Sequence, residues 1–364
     1  MSAFAVEIPR ETLDDLDRRL AATRWPDAVV DDWTWGTPPE PLRRLVDRWR
    51  GGYDWRATEA RINAHEQGLV RVGGLGIHYL RAGTRGATPL LLLHGWPDSP
   101  LRFERALPLL ADRFDLVVPS IPGYGFSERP RRPGHGPSAV ADALAGLMDA
   151  LGLGRYGVHG GDIGSAIGEA VALRHPGRVI GLHLADVPFW HRYAFDASTA
   201  TDEERRFLDA MAAWAAEEGA YAALHRTKPQ TLAYALEDSP VGLAAWFLEK
   251  LRTWSDCGGD VWSVFAPDEV IDDVMLYWVT RTAGSAVRYY RDSALHPGDP
   301  AARVTIPTAF AIFPRDIAPA PRGYAERFFD VARWTEMPRG GHFGAWEQPS
   351  LFAADVRGFF DSLA

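Results

Sequence analysis

Short apolar runs alternate with amphipathic stretches along much of the chain. The apolar runs have the length of buried strands and lie at residues 77–81, 89–93, 116–119, 156–159 and 179–184. Between them, apolar residues recur at helical spacing, as in residues 138–151 and 165–174. Strands that alternate with helices predict a mostly parallel central sheet with helices on both faces, which is the α/β class.

This alternation is absent from two parts of the chain. Near the N-terminus, Leu13, Leu16 and Leu20 mark one apolar helical face, and no catalytic pattern accompanies them. A later stretch is helical and rich in Trp and Tyr, and the β/α pattern resumes after it. We therefore predict an N-terminal arm at 1–75, a core at 76–187 and 301–364, and a helical lid inserted at 188–300.

Composition argues against several functions. The 364-residue chain carries a net charge of −9, so we do not expect a nucleic acid partner. The N-terminus has no signal-peptide pattern, and no apolar run approaches the roughly 18 residues of a membrane span. The one cysteine, Cys257, cannot form an intramolecular disulfide, which fits a reducing compartment. Together these features predict a cytoplasmic protein without membrane association. We expect no metal site and no organic cofactor.

The strongest chemical signal is the segment HGGDIGSAIG at residues 159–168. An apolar strand leads into it, a helical stretch leaves it, and Gly160 and Gly164 stand two positions before and after Asp162. This is the layout of the nucleophile elbow in the α/β-hydrolase fold, a strained turn that exposes its central side chain above the sheet. An aspartate that merely caps the following helix is the alternative interpretation.

A second signal is the buried-type strand that ends in HGWP at residues 94–97. In α/β-hydrolases the loop after such a strand supplies one N–H of the oxyanion hole, and the residue after the nucleophile supplies the other. We assign these two amides to Trp96 and Ile163. We interpret His94 as a structural histidine that bonds local backbone, not as a base.

A third signal is RGGHFGAWEQP, in which His342 follows a strand and two glycines. The general base of an α/β-hydrolase occupies this place, and the chain order of nucleophile, acid and base agrees with it. The acid is expected after the preceding strand, so we choose Asp316 and keep Asp330 as its competitor.

The elbow aspartate determines the class of reaction. A carboxylate oxygen attacks a saturated carbon and forms an alkyl ester, which water activated by His342 then hydrolyses. Esterases and peptidases of this fold normally use Ser or Cys, so they become less favoured. Epoxides and alkyl halides are the two candidate electrophiles.

Several further segments follow one another in a characteristic order, namely IPRETLDDLDRRLAATRWPD, YDWRATEARIN, HGWPDSP, PSIPGYGFSERP, GGDIGS, TKPQTLAYALEDSPVGLAAW and RGGHFGAWEQP. Across almost the whole chain they resemble the microsomal-type epoxide hydrolases, in a soluble bacterial form. The resemblance implies hydrolysis of an epoxide to a vicinal diol and protonation of the epoxide oxygen by two lid tyrosines. The residues in matching context are Tyr221, before TKPQT, and Tyr277, in VMLYWVT.

The sequence departs from the family pattern at Ile163, where the family commonly has Trp. The departure changes the expected pocket wall, and it also weighs against a haloalkane dehalogenase, which commonly holds the halide with Trp there. The membrane anchor of mammalian members is not found in this sequence. We expect a small apolar or aromatic epoxide as substrate, in detoxification or secondary metabolism, and a homodimer is compatible with the sequence. The alternatives are a dehalogenase-like hydrolase and a non-catalytic α/β-hydrolase that serves in binding.

Overall fold

The computed structural model describes residues 2–363, with side chains from residue 4 onward. The strands are β1 (Ser2–Ala3), β2 (Glu66–Val72), β3 (Leu75–Gly83), β4 (Thr88–Leu93), β5 (Phe114–Pro119), β6 (Tyr156–Gly160), β7 (Val179–Leu184), β8 (Val304–Ile312) and β9 (Phe329–Glu336). The helices outside the lid are α1 (Arg10–Ala21), α2 (Pro39–Gly51), α3 (Trp55–Asn63), α4 (Leu107–Leu110), α5 (Pro137–Ala150) and α6 (Ile163–Arg174). The lid helices are α7 (Asp202–Glu217), α8 (Ala220–Thr227), α9 (Pro229–Asp238), α10 (Pro240–Trp254), α11 (Pro267–Thr280) and α12 (Ala283–Leu295). The chain ends with α13 (Arg322–Glu326), α14 (Gly344–Glu347) and α15 (Pro349–Asp361).

One sheet runs through the core in the order β1-β2-β3-β5-β4-β6-β7-β8-β9. The six strands from β5 to β9 in this order are parallel to one another, whereas β1, β2 and β3 are antiparallel at one edge. Residues 90–93 of β4 are four fully buried leucines, as a strand covered on both faces requires. The α/β-hydrolase class that the sequence predicts is confirmed.

Parallel strands place all their carboxyl ends at one edge of the sheet. The loops after β4, β6, β8 and β9 therefore meet, although together they span more than two hundred residues of the chain. Six helices, α7 to α12, are inserted between β7 and β8, and α12 packs against both α8 and α9. Among the helices of residues 2–363, none is both long and apolar enough to cross a bilayer.

The N-terminal segment joins the sheet as well as wrapping it. Strand β1 pairs with β2, and both lie within the segment that the sequence assigns to the arm. Helices α1 and α2 contact the lid helix α10, and α2 and α3 contact α11. The helices of the arm thus pack directly against those of the lid.

A buried carboxylate on α11 joins the arm to the lid. Asp272 accepts hydrogen bonds from the Tyr53 hydroxyl at 2.7 Å, the Thr58 hydroxyl at 2.6 Å and the Arg61 guanidinium at 2.5 Å. Its side chain is only 6% exposed, so these three donors replace almost all of its hydration.

We expect Asp272→Ala to lower the free energy of unfolding by roughly 2–4 kcal/mol, because it leaves three donors without their acceptor. Asp268→Ala is the matched control, since Asp268 on the same helix pairs with Arg48 of the arm but is 46% exposed. The control should lose less than about 1 kcal/mol. Urea unfolding measures both variants, and equal losses would contradict the role of burial.

Candidate active site

Asp162 occupies the sharp turn between β6 and α6. Its backbone has φ 56° and ψ −126°, in the left-handed half of conformational space that residues other than glycine rarely adopt. A Cβ on Gly160 would lie 2.2 Å from the carbonyl oxygen of Gly164, and one on Gly164 would lie 2.4 Å from that of Leu93. Both glycines are therefore required sterically, as the elbow layout predicts.

The Asp162 carboxylate lies between a backbone amide and a histidine. Its Oδ1 accepts a hydrogen bond from the Trp96 N–H at 2.8 Å, and its Oδ2 lies 3.4 Å from Nε2 of His342. Gly95 permits this approach, because a Cβ there would be 2.4 Å from Oδ1. Ile163 is the first residue of α6, so its N–H is one of the amides that have no acceptor within the helix. Two amides are thus available next to the carboxylate.

His342 and Asp316 form a buried pair beside the elbow. His342 follows β9, Asp316 follows β8, and Nδ1 lies 2.7 Å from Oδ1. Burial alone would lower the pKa of His342, but the carboxylates of Asp316 and Asp162 outweigh it and raise that pKa well above its usual value. Asp330 is exposed on β9, so the structure brings Asp316 and not its competitor to the histidine.

His94 bonds backbone through both ring nitrogens, and its Nδ1 also lies 3.6 Å from Oδ1 of Asp98. Its Nδ1 lies 3.0 Å from the Gly95 carbonyl oxygen, and its Nε2 accepts from the Ile121 N–H at 3.1 Å. Both nitrogens are occupied, which agrees with the interpretation of His94 as a structural residue.

The lid places a pair of tyrosines above the carboxylate. The Tyr221 ring stacks on Trp96 with centroids 5.1 Å apart, and the Tyr290 ring lies 6.0 Å from that of Tyr221. The two phenols lie close enough for each to affect the pKa of the other. Burial raises the pKa of both phenols, and the charge of Asp162 raises them further, so both carry their proton.

The structure does not bring Tyr277 into this pair, which corrects the assignment made from the sequence. Its hydroxyl donates to the carbonyl oxygen of Asp98 at 2.6 Å, and its ring packs against Phe247. Tyr290 lies on α12, and α12 packs closely against α8, which carries Tyr221. Tyr290, in the segment VRYYRD, is the residue that sequence reasoning missed. Its neighbouring tyrosines in a helical stretch were the available signal, but spacing alone does not show which lid helix faces the elbow.

A second feature missed from the sequence is a buried carboxyl group that holds the histidine loop. Glu347 accepts from the backbone N–H groups of Phe343 at 2.9 Å, Gly341 at 3.0 Å and Asp256 at 2.8 Å. Two of these amides flank His342 directly, and the third belongs to the loop after α10. Burial raises the pKa of Glu347 to about 7, although the three amides act in the opposite direction.

Two models of known families match the chain. The epoxide hydrolase N terminus matches residues 1–103, and the alpha/beta hydrolase fold matches residues 88–255. A Stigmatella aurantiaca protein proposed to be an epoxide hydrolase is 38% identical over 100% of this chain and 85% of that protein. Epoxide hydrolase 1 of Sus scrofa is 32% identical over 99% of this chain and 88% of its own length. This chain belongs to the microsomal-type epoxide hydrolase family.

Solved structures of epoxide hydrolases share the whole architecture. The juvenile hormone epoxide hydrolase of the silkworm Bombyx mori superposes with a TM-score of 0.90 at 28% identity, over 100% of this chain and 94% of that one. The Aspergillus niger epoxide hydrolase gives a TM-score of 0.87 at 29% identity, over 100% and 97%. Arm, core and lid are therefore present together in other members of the epoxide hydrolase family.

We expect Glu347→Gln to change how stability depends on pH. The folded chain holds a proton on this carboxyl up to about pH 7 and the unfolded chain up to about 4.5, so the group favours folding below that range and loses its contribution as the pH rises through it. The free energy of unfolding of the wild type, minus that of the variant, should fall by roughly 2–3 kcal/mol between about pH 5 and pH 8. Urea unfolding across this range measures the difference, and a constant value would contradict the assignment.

Proposed function

We propose that this chain hydrolyses an epoxide to a vicinal diol through an ester on Asp162. The observation that carries the proposal is an elbow carboxylate that contacts a backbone amide at 2.8 Å and lies 3.4 Å from a histidine already paired with Asp316. A carboxylate in this position attacks carbon, and the paired histidine serves as a base toward water. No second function is favoured by a specific contact.

The first step opens the ring. An Asp162 oxygen forms a bond to one epoxide carbon, and the bond from that carbon to the ring oxygen breaks. An alkoxide is a poor leaving group, so the ring oxygen takes a proton from the hydroxyl pair of Tyr221 and Tyr290. The product is a β-hydroxyalkyl ester and a phenolate in the lid. We assign the second tyrosine to Tyr290 because Tyr277 already donates to Asp98.

The second step hydrolyses the ester. His342 takes a proton from water, and the oxygen of that water attacks the carbonyl carbon of the ester on Asp162. The oxyanion that forms is bound by the N–H groups of Trp96 and Ile163. The intermediate collapses to the diol and the free carboxylate. The proton on His342 passes to the phenolate left by the first step, which restores the tyrosine.

The walls of the site favour an apolar or aromatic epoxide. The rings of Trp96, Trp214 and Trp254 contact that of Tyr221, and Phe247 packs on Trp96. Apolar walls limit the access of water to the ester, so the water that attacks is the one activated by His342. A cytoplasmic location belongs to the same proposal, on the ground that Cys257 is a buried free thiol.

We expect His342→Gln to trap the ester, because the variant keeps the nucleophile but lacks the base. After incubation with a panel of aryl and alkyl epoxides, intact-protein mass spectrometry should show an adduct equal in mass to one epoxide. Asp162→Ala in the same background is the control and should abolish the adduct. Absence of an adduct with every epoxide, together with halide release from an alkyl halide by the wild type, would indicate a dehalogenase instead.

We expect Tyr290→Phe to slow ester formation by about 10–100-fold, because the ring oxygen then depends on one phenol only. Tyr277→Phe is the matched control, and we expect it to lower stability by about 1 kcal/mol with little change in that rate. Rapid-quench mass spectrometry in the His342→Gln background measures the rate directly. A slow Tyr277 variant with a fast Tyr290 variant would restore the original assignment.

A further inference from the structure

A carboxyl group other than those of the nucleophile and its paired acid binds the backbone of the elbow. Asp186 is the second residue after β7, the strand beside β6 in the sheet. Its Oδ1 accepts a hydrogen bond from the backbone N–H of Asp162 at 2.8 Å and another from the Ser165 hydroxyl at 2.7 Å. Ser165 also lies 3.1 Å from the Gly160 carbonyl oxygen, so strand, turn and helix are joined at one point.

The amide that Asp186 binds belongs to the strained residue itself. Asp162 precedes the first turn of α6, so its N–H has no acceptor within that helix. A backbone held at φ 56° relaxes unless its surroundings fix it, and a relaxed turn would move the carboxylate away from Trp96 and His342. The acceptor at Asp186 opposes that relaxation.

We propose that Asp186 is a positioning residue that clamps the nucleophile elbow through the N–H of Asp162 and the hydroxyl of Ser165. The proposal rests on the role of Asp162 as nucleophile. Only one oxygen of Asp186 accepts the two hydrogen bonds, so an asparagine in its place keeps both. A leucine has nearly the same shape and keeps neither.

The surroundings of Asp186 disfavour the ionised form of its carboxyl group. Burial, and next the neighbouring Asp316, raise the pKa of Asp186 to about 7, while Ser165 and His342 act in the opposite direction. Asp162 is a further negative neighbour. A side chain that served only to pack this loop would be more stable without a charge. If Asp186 positions the elbow, the leucine variant should form the ester more slowly. If Asp186 only packs the loop, the leucine variant should form it at the original rate.

The test measures ester formation in the His342→Gln background by rapid-quench mass spectrometry. We expect Asp186→Leu to slow adduct formation by about 10–100-fold, because a displaced nucleophile loses its line of attack. The epoxide concentration that gives half the maximal rate should not change, since the clamp acts on the position of the nucleophile and not on substrate binding. Asp186→Asn should recover most of the lost rate.

Glu59→Leu is the matched control. Glu59 is also a buried carboxylate that accepts from a backbone N–H, that of Ile8 at 2.7 Å, but it lies in the arm. We expect its loss to lower stability without slowing the adduct. If Asp186→Leu does not fold, Asp186→Ala replaces it in the comparison with asparagine.

The outcomes separate this inference from the proposed function. If His342→Gln alone forms no adduct with any epoxide, the proposed function fails. If it forms the adduct and Asp186→Leu forms it equally fast, the clamp is overturned while the function stands. An asparagine variant as slow as the leucine variant overturns the clamp too, because the amide oxygen retains both hydrogen bonds.

Discussion

The hydrogen bond from the Trp96 N–H to the Asp162 carboxylate fixes the relation between two loops that are 66 residues apart. It forms only because Gly95 has no Cβ and because the elbow can close between Gly160 and Gly164. The backbone conformation of Asp162 costs about 1–3 kcal/mol, and the packing of the sheet below it offsets that cost. The strained backbone at Asp162 thereby directs its carboxylate toward both the Trp96 N–H and His342.

Trp96 also connects the core to the lid. Its amide contacts the nucleophile, while its ring stacks on Tyr221, 5.1 Å away and tilted by 10°. The loop that supplies the oxyanion amide is therefore the surface on which the lid tyrosine rests. A shift of this loop would therefore move the amide and the proton donor together.

Family, fold, the elbow triad and Tyr221 were within reach of the sequence, and Tyr290 and the backbone clamps were not. Asp162, Asp316 and His342 each follow a strand, and carboxyl ends of parallel strands share an edge, so their meeting follows from topology. Whether Tyr290 reaches the site depends on which lid helix, and which face of it, turns toward the elbow. Tyr277 also lies in a helical stretch of the lid, so spacing alone does not distinguish the two. Asp186 and Glu347 bind backbone amides, which carry no sequence signal at all.

The charges in the site link the two chemical groups of the first step. Burial raises the pKa of Tyr221 and Tyr290, and the Asp162 carboxylate raises it further, so before reaction both phenols keep their protons. In the proposed mechanism Asp162 becomes a neutral ester as it attacks, and its effect on the phenols disappears at that moment. The tyrosines thus become better acids when the epoxide oxygen requires a proton. A nucleophile that kept its charge, or a serine that never carried one, would not provide this coupling.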